Sequence, residues 1–388
     1  MLGRVGNAAG AEVVVVGAGP AGSATATLLA RHGHDVVLLD QARFPRPKPC
    51  AEYASPGAAR LLDRLGLGCH GGRWLRGMRL VAPNGTSTVL GYGDAQALSI
   101  PRTELDAQLV ELARSHGVAV RENVRVGGPL IEDGAVSGVT GPDLRLRARF
   151  VVGADGQHSS LVRGLRLARR LRWPPRLGLV AHLRGVPWPE DIGQMWVGTN
   201  AYVGVAPVTE DVVTVGLVTN LPCGRLGPSA SALWHALAQF PLVKQRLAGA
   251  ALEEPVRGVG PLTHAVRAAS GPGFLLVGDA AGFFDPFTGE GLYRALRGAE
   301  LAADAVHAEL SGRPGKSYER ARRQAFRAKE RLTALIQLFV RVPWLMNYAV
   351  ARLERRPRLA LALGRVLGDL APAEMTIRPE YLWALLRP

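Results

Sequence analysis

Residues 12–40 read EVVVVGAGPAGSATATLLARHGHDVVLLD, and this stretch decides the fold. Val13–Val16 is an unbroken run of β-branched residues, the pattern of a strand buried on both faces of a parallel sheet. Gly17-Ala18-Gly19-Pro20-Ala21-Gly22 follows as a GxGxxG turn. Ser23 to His32 carries a helical pattern closed by Gly33, Asp35–Leu39 is a second strand, and Asp40 stands at its end. The spacing has physical reasons. Gly17 permits a tight turn, Gly19 lets the backbone approach a pyrophosphate, and Gly22 lets helix and strand pack closely. Pro20 and Ala21 lie in the turn that leads into the helix, whose N-terminus faces the phosphates with free N–H groups. Asp40, 18 residues past Gly22, is placed to accept a hydrogen bond from a ribose hydroxyl. A carboxylate there disfavours a 2′-phosphate, which leaves FAD or NAD.

Two later segments decide between these. Arg149 to Ser159 is a second apolar strand ending in the glycine-flanked Asp155, followed by Gly156. Gly273 to Leu292 is a third, with Gly278 and Asp279 at its end and the turn Thr288–Gly291 opening a helix through Val306. Three strands ending in glycines and a carboxylate suit a large ligand lying across the C-terminal edge of one parallel sheet. In order and separation these segments resemble the three FAD fingerprints of the p-hydroxybenzoate-hydroxylase-type flavoproteins, over roughly residues 11–310. That superfamily includes aromatic monooxygenases, geranylgeranyl reductases and flavin-dependent halogenases. The resemblance implies a Rossmann-type α/β FAD-binding domain with an antiparallel substrate sheet. It implies roles by position as well. Gly17, Gly19 and Gly22 would line the pyrophosphate, Asp40 would hold the adenosine ribose, and Asp279 the ribityl chain. Asp155 and Gly156 would sit near the pyrophosphate. Gly289-Glu290-Gly291 would begin a helix aimed at the flavin pyrimidine, where helix N-termini favour negative charge. Arg102, at a helix start, matches the family's FAD-contacting arginine.

Phe44 to Gly57 is similar to the reductase branch's Lys-x-Cys-Gly stretch followed by Ser-Pro, with Ala51 in place of the glycine. Its prolines make a stiff loop, suited to an active-site wall. Cys50 reads either as a thiol beside the isoalloxazine or as a small buried apolar residue. Asp285-Pro286-Phe287-Thr288-Gly289-Glu290-Gly291 also resembles the reductase version. Catalytic residues are not legible; Cys50, Pro286 and Gly289 are the flavin-proximal candidates. The reductase branch carries Tyr-x-Trp-x-Phe-Pro in its substrate sheet, and here the strand reads Ala201-Tyr202-Val203-Gly204-Val205-Ala206-Pro207. The halogenase lysine and Trp-x-Trp-x-Ile-Pro pattern is not visible. Gly193–Val197, Ala201–Val208 and Val212–Thr219 read as strands of the substrate sheet, with Met195, Trp196, Tyr202 and Val205 as pocket candidates. His182 and His264 read as structural histidines.

Domain limits follow: an FAD-binding domain of 1–76, 99–175 and 256–312, a substrate domain of 77–98 and 176–255, and a C-terminal helical region of 313–388. The whole chain carries +15 on 388 residues. Residues 313–388 hold 16 basic and six acidic residues, so +10 falls there. Tyr318 to Val340 and Arg352 to Leu370 read as basic amphipathic helices, separated by Pro343, Trp344 and Leu345. Such helices read as a cap with a solvated basic face, or as a contact for an anionic membrane surface or a carrier protein. The cluster Arg163, Arg166, Arg169, Arg170, Arg172 and Arg176 reads as a charged surface, or as a lure for NADPH or an acidic carrier protein. Aromatic residues at 6% argue against a nucleic-acid binder. Cys50, Cys69 and Cys223 form no CxxC pair, which argues against a disulfide framework or a metal site and fits a reducing cytoplasm. Met1 to Gly10 is too polar for a signal peptide.

In a flavoprotein the cofactor carries hydride transfer or oxygen activation while the protein orients and shields. The expected function is FAD-dependent C=C reduction of a lipophilic, polyketide- or isoprenoid-like substrate, with NAD(P)H as probable donor. Hydroxylation of an aromatic or phenolic substrate with NAD(P)H and O2 is the alternative, and an electron-carrying flavoprotein without small-substrate turnover is the second.

Overall fold

The structure, a computed structural model, describes residues 10–68, 71–169, 176–220, 227–315 and 317–387. The N-terminal lead up to residue 9, Cys69, Cys223, Arg170 and Arg172 lie outside these residues.

Ala11–Val16 is the central strand of the first sheet. It pairs in parallel with Leu144–Gly153 on one side and Val36–Leu39 on the other, in the register Val13↔Phe150 and Val13↔Val36. Phe274–Leu276 joins the outer edge of Leu144–Gly153, and Ala119–Arg121 extends the opposite side, both in parallel. Helices cover both faces of such a sheet, so its strands are apolar throughout, and Val13, Val14 and Val15 are fully buried. The helix after the glycine turn runs from Pro20 to Arg31, three residues earlier than the sequence pattern indicated. Proline supplies a first helical residue at no hydrogen-bonding cost, and Gly19 caps it. This helix packs against Gly291–Leu310, through faces rich in alanine and glycine.

The second sheet is ordered Ala251–Leu252, Leu177–Arg184, Val212–Thr219, Ala201–Pro207, Ile192–Val197, Gly77–Val81, Ser87–Gly91. Its pairings are antiparallel except between Ile192–Val197 and Gly77–Val81, which run parallel. These two strands come from separate excursions of the chain, so no hairpin dictates their direction. Strand alternation gives the sheet two distinct faces. Leu179, Leu183, Val203, Val205, Val213 and Val215 pack against Leu233, Leu237 and Phe240 of two short helices, Ala230–Leu237 and Pro241–Arg246. Val180, His182, Tyr202, Gly204, Thr214, Gly216 and Val218 take the alternate positions. That face meets the FAD-binding unit: Tyr202 packs on Phe287, and a Cβ built on Gly216 would lie 3.1 Å from Ala51.

The C-terminal region is built into the molecule. Helices Tyr318–Arg341 and Pro343–Arg355 meet at a 113° bend. Val340, Met346, Val350 and Leu353 bury against Tyr202, Val218, Leu80 and Phe287. Each such aliphatic side chain removed from water contributes about 1.5–3 kcal/mol, so the region is an integral wall. The second expected helix is divided. Pro343–Arg355 ends at Arg356 and Pro357–Leu367 begins anew, because proline removes an N–H and pushes the residue before it out of helical geometry.

Candidate active site

The three glycine-and-acid segments converge. Gly17 has φ +98°, and a Cβ there would come within 2.5 Å of the Ala154 carbonyl oxygen and 2.7 Å of Asp155 Cα. A Cβ on Gly22 would lie 1.8 Å from the Gly17 oxygen, and one on Gly278, at φ +60°, would lie 2.8 Å from the Ala21 methyl. The first and second segments are thus in backbone contact and the third abuts the first. Asp40 is buried; its two carboxylate oxygens accept the Ala18 N–H at 2.7 Å and the Ala42 N–H at 2.8 Å. The acid therefore braces the glycine turn, and its remaining lone pairs stay open to a ribose. Asp155 accepts the Ser160 N–H and hydroxyl through one oxygen, while its other oxygen is buried with no partner. Asp279 is exposed at the mouth of its strand.

Cations crowd this cradle. Among the described residues Arg46 alone comes within 4 Å of a Cβ on Gly19, at 3.6 Å, and Lys48 Nζ lies 3.7 Å from one on Gly156. Arg102 is buried and clamps Asp106 with two hydrogen bonds, at 2.7 and 2.9 Å. Lys48 reaches solvent, yet desolvation in the recess lowers its pKa below the usual lysine range, with repulsion from Arg102 and Arg46 adding to it. An anion placed here would reverse that shift. The clashing glycine positions and the gathered cations fit a dinucleotide pyrophosphate, while the orphaned Asp155 oxygen, an acceptor, suits a ligand hydroxyl.

The Asp285–Gly291 turn, which the family resemblance would put on the flavin side, is bolted from three directions. Asp285 is fully buried. It accepts Arg176 Nη1 at 3.0 Å, Tyr202 Oη at 2.7 Å, Gln337 Nε2 at 2.8 Å and the Phe287 N–H at 3.0 Å. Arg176 and Tyr202 come from the second sheet and Gln337 from the C-terminal region. Gly289 sits at φ +65°, and a Cβ there would strike the Tyr53 ring at 2.8 Å. Glu290 is buried beside Arg294 at 3.5 Å and Lys329 at 3.9 Å. Lys329 in turn donates to Asp369 at 2.7 Å, and Asp369 accepts the Ser55 hydroxyl at 2.6 Å. Gly291 has open space at its Cβ position, and Thr288 Oγ1 is buried without a partner. Pro286 begins the short 3-10 turn that presents these residues.

The loop between these halves holds Cys50, half-buried, whose sulfur accepts the Glu52 N–H at 3.3 Å and lies against Arg102. Glu52 is buried in left-handed geometry at φ 56°, a conformation that costs a non-glycine residue energy and collects at functional sites. One of its oxygens accepts the Arg102 N–H at 3.0 Å and the other meets His182 Nε2 at 2.7 Å. His182 Nδ1 meets Glu254 at 3.0 Å. Burial works against the imidazolium, but Glu52 and then Glu254 outweigh it and raise the His182 pKa. A histidine held between two carboxylates thus joins the loop of Cys50 and Glu52 to the second sheet. Tyr53 and Tyr92 share a 2.5 Å hydrogen bond, and burial holds both phenols neutral.

The structure brings Gly17, Gly19, Pro20, Ala21, Gly22, Asp40, Asp155, Gly156, Gly278 and Asp279 to one sheet edge, with Arg102 and Cys50 alongside. Some expectations change. Trp196 and Val205 point to the helix-covered face of the second sheet, away from the flavin side; only Met195 and Tyr202 face inward. Arg176 leaves the surface cluster, being 1% exposed and bonded to Asp285. His182 has two acidic partners. His264 Nε2 meets the Asp279 carbonyl at 2.6 Å, which braces the third segment. Sequence reasoning missed Arg46 and Lys48, although both lie in the quoted Phe44–Gly57 segment. Their signal was two cations placed just after the strand that ends in Asp40.

The chain belongs to the FAD binding domain family, whose profile matches residues 10–333. It is an FAD-dependent oxidoreductase. Among curated proteins it is 30% identical over 338 residues to digeranylgeranylglycerophospholipid reductase 1 of Methanococcoides burtonii, covering 81% of this chain and 80% of that one. It is 31% identical over 364 residues to menaquinone reductase of Mycobacterium tuberculosis, covering 81% and 83%. Among solved structures, the flavin-dependent brominase Bmp2 superposes with a TM-score of 0.81 at 21% identity, covering 92% of this chain and 93% of that one. That last likeness is one of fold.

Proposed function

We propose that this protein reduces a C=C bond in a lipophilic, isoprenoid- or polyketide-like substrate, with NAD(P)H as the electron source. The observation that carries the reading is the likeness, at 30% and 31% identity over four-fifths of the chain, to two reductases whose names specify a polyprenyl phospholipid and an isoprenoid quinone. When bound, reduced FAD would supply the hydride for one carbon of the double bond, and a protein acid or water the proton for the other. The chain's own residues supply the setting. The Gly17–Gly22 turn and the Arg46, Lys48 and Arg102 cations would hold the pyrophosphate. Asp285 fixes the turn that carries Gly289 to Gly291. The inner face of the second sheet excludes water.

That face also speaks to substrate shape. Tyr202, Gly204, Ala206 and Pro207 take the four places of the reductase branch's Tyr-x-Trp-x-Phe-Pro motif, so two aromatic rings are absent from one strand. Gly204 pairs directly with Gly216; Ala51 covers Gly216, but at Gly204 nothing lies nearer a Cβ than Met195 Cε at 3.5 Å, which leaves room there. The reading therefore favours a substrate bulkier near its reacting bond than a linear prenyl chain. Substrate-dependent NADPH oxidation, assayed without oxygen on menaquinone and a geranylgeranyl phospholipid, tests it. Anaerobic loss of the double bond by mass supports reduction. Substrate-stimulated oxygen consumption with an added hydroxyl overturns it.

A further inference from the structure

Two tryptophans stand almost clear of the fold: Trp344 is 70% exposed and Trp383 69%. Indoles are seldom left so, since each carries a large apolar area. Of the eleven large apolar side chains exposed among the described residues, six fall in the C-terminal region: Leu338, Trp344, Leu361, Met375, Trp383 and Leu386. Four of these lie on three helices packed in succession, Tyr318–Arg341 on Pro343–Arg355 and that on Pro379–Leu386. Leu338 and Trp344 flank the 113° bend between the two helices that meet there. Trp344 and Tyr348 lie one turn apart on one helix face, and the Tyr348 hydroxyl donates to the Leu386 carbonyl at 2.9 Å. Leu386 and Trp383 are again one turn apart, on the helix Pro379–Leu386, beside an open surface groove that Pro379 and Leu382 line together with Glu380 and Arg387.

Arginines border this strip of apolar side chains. Arg352 donates to the carbonyl of Arg387, and Arg356 to those of Ala384 and Arg387. Arg355, Arg358 and Arg387 are exposed nearby. We infer that this strip is a docking surface for the interface of an anionic lipid bilayer, with the indoles among the headgroups and the guanidinium groups on lipid phosphates. A second copy of the chain fits worse, because a two-fold contact would set the same arginines against each other. Spanning fits worse too. Among the described residues no single helix is long and apolar enough to cross a membrane, and the opposite faces of the bent pair, at Val340, Met346 and Val350, are buried in the body. The protein therefore lies on the bilayer. Met346 and Val350 touch the Tyr202–Phe287 cluster, so the strip is one helix thickness from the flavin-side turn. Delivery of substrate by that route rests on the proposed lipid substrate; docking itself does not.

The test uses the full FAD-loaded chain and no substrate, so its outcome is independent of the reaction assay. Flotation is measured with phosphatidylcholine vesicles, with and without phosphatidylglycerol. The expected result is binding to the anionic vesicles that weakens as salt is raised, with blue-shifted tryptophan emission. The Trp344→Ala/Trp383→Ala variant, which retains flavin and melting temperature, should bind at least about tenfold more weakly. Quenching of wild-type emission by brominated lipid chains gives the same answer without substitution. The inference is overturned if the wild type binds neither vesicle or the double variant binds as tightly. It is also overturned if the wild type is a dimer that the double variant dissolves.

Discussion

Gly22 shows how little freedom a single position can have. A methyl group there would meet the Gly17 oxygen at 1.8 Å, and both atoms belong to backbone, so neither can rotate away. Gly22→Ala should cost about 1–3 kcal/mol and yield protein without the flavin absorbance of the wild type; retention of flavin would contradict the placement of the cradle. Gly204 is the opposite case. Its Cβ would meet nothing nearer than Met195 Cε at 3.5 Å. Gly204→Trp should therefore keep fold and flavin while raising KM for bulky substrates more than for linear ones. His182 makes a pH-dependent contribution. Its pKa is raised in the folded state, so its stabilisation is complete below the ordinary histidine value of about 6.5 and is lost as pH rises through the folded value. Melting temperature plotted against pH should fall across that window in the wild type and flatten in His182→Gln. Steric demands of this kind are local, which is why the glycine turn was legible in the sequence. The His182 pairing was not, because Glu52 lies 130 residues away and only chain closure brings it near.

At the scale of elements, the Asp285 turn is held by groups from two other parts of the chain. Asp285→Ala leaves Arg176 buried without its carboxylate and should cost about 3–5 kcal/mol, with loss of flavin. Tyr202→Phe removes one donor to the same carboxylate and should cost about 1.5–3 kcal/mol, with flavin retained. Urea melts of the two variants check both the order and the size. A larger loss from Tyr202→Phe would mean that its ring packing on Phe287 outweighs the ion pair. The elements themselves were largely legible, since apolar runs and punctuating glycines encode strands and turns within a few residues. The helix break at Arg356–Pro357 was passed over because the amphipathic pattern continues across it. The parallel pairing of Ile192–Val197 with Gly77–Val81 has no local signal at all.

On the scale of the whole molecule, the C-terminal region completes the flavin side. Its charge reads as a solvated face in composition, yet Lys329, one of only four lysines, is buried and donates to Asp369 and to the Val366 carbonyl. A chain ending before Tyr318 would expose Tyr202, Val218 and Phe287 together. It should aggregate on expression or fail to hold FAD, and a soluble, yellow truncation would refute the integral role of this region.

Asp285 waits for Gln337, 52 residues further along the chain, and Ser55 waits for Asp369, 314 residues on. A ribosome that has released the third glycine segment has therefore delivered every part of the cradle but not its fastening. The glycine turn at Gly17–Gly22 is complete early in synthesis, whereas the Asp285 turn gains its last partner only after Gln337 has emerged. Firm flavin retention is therefore expected only once the C-terminal region has emerged, so chains released before Gln337 should recover less flavin than the full chain.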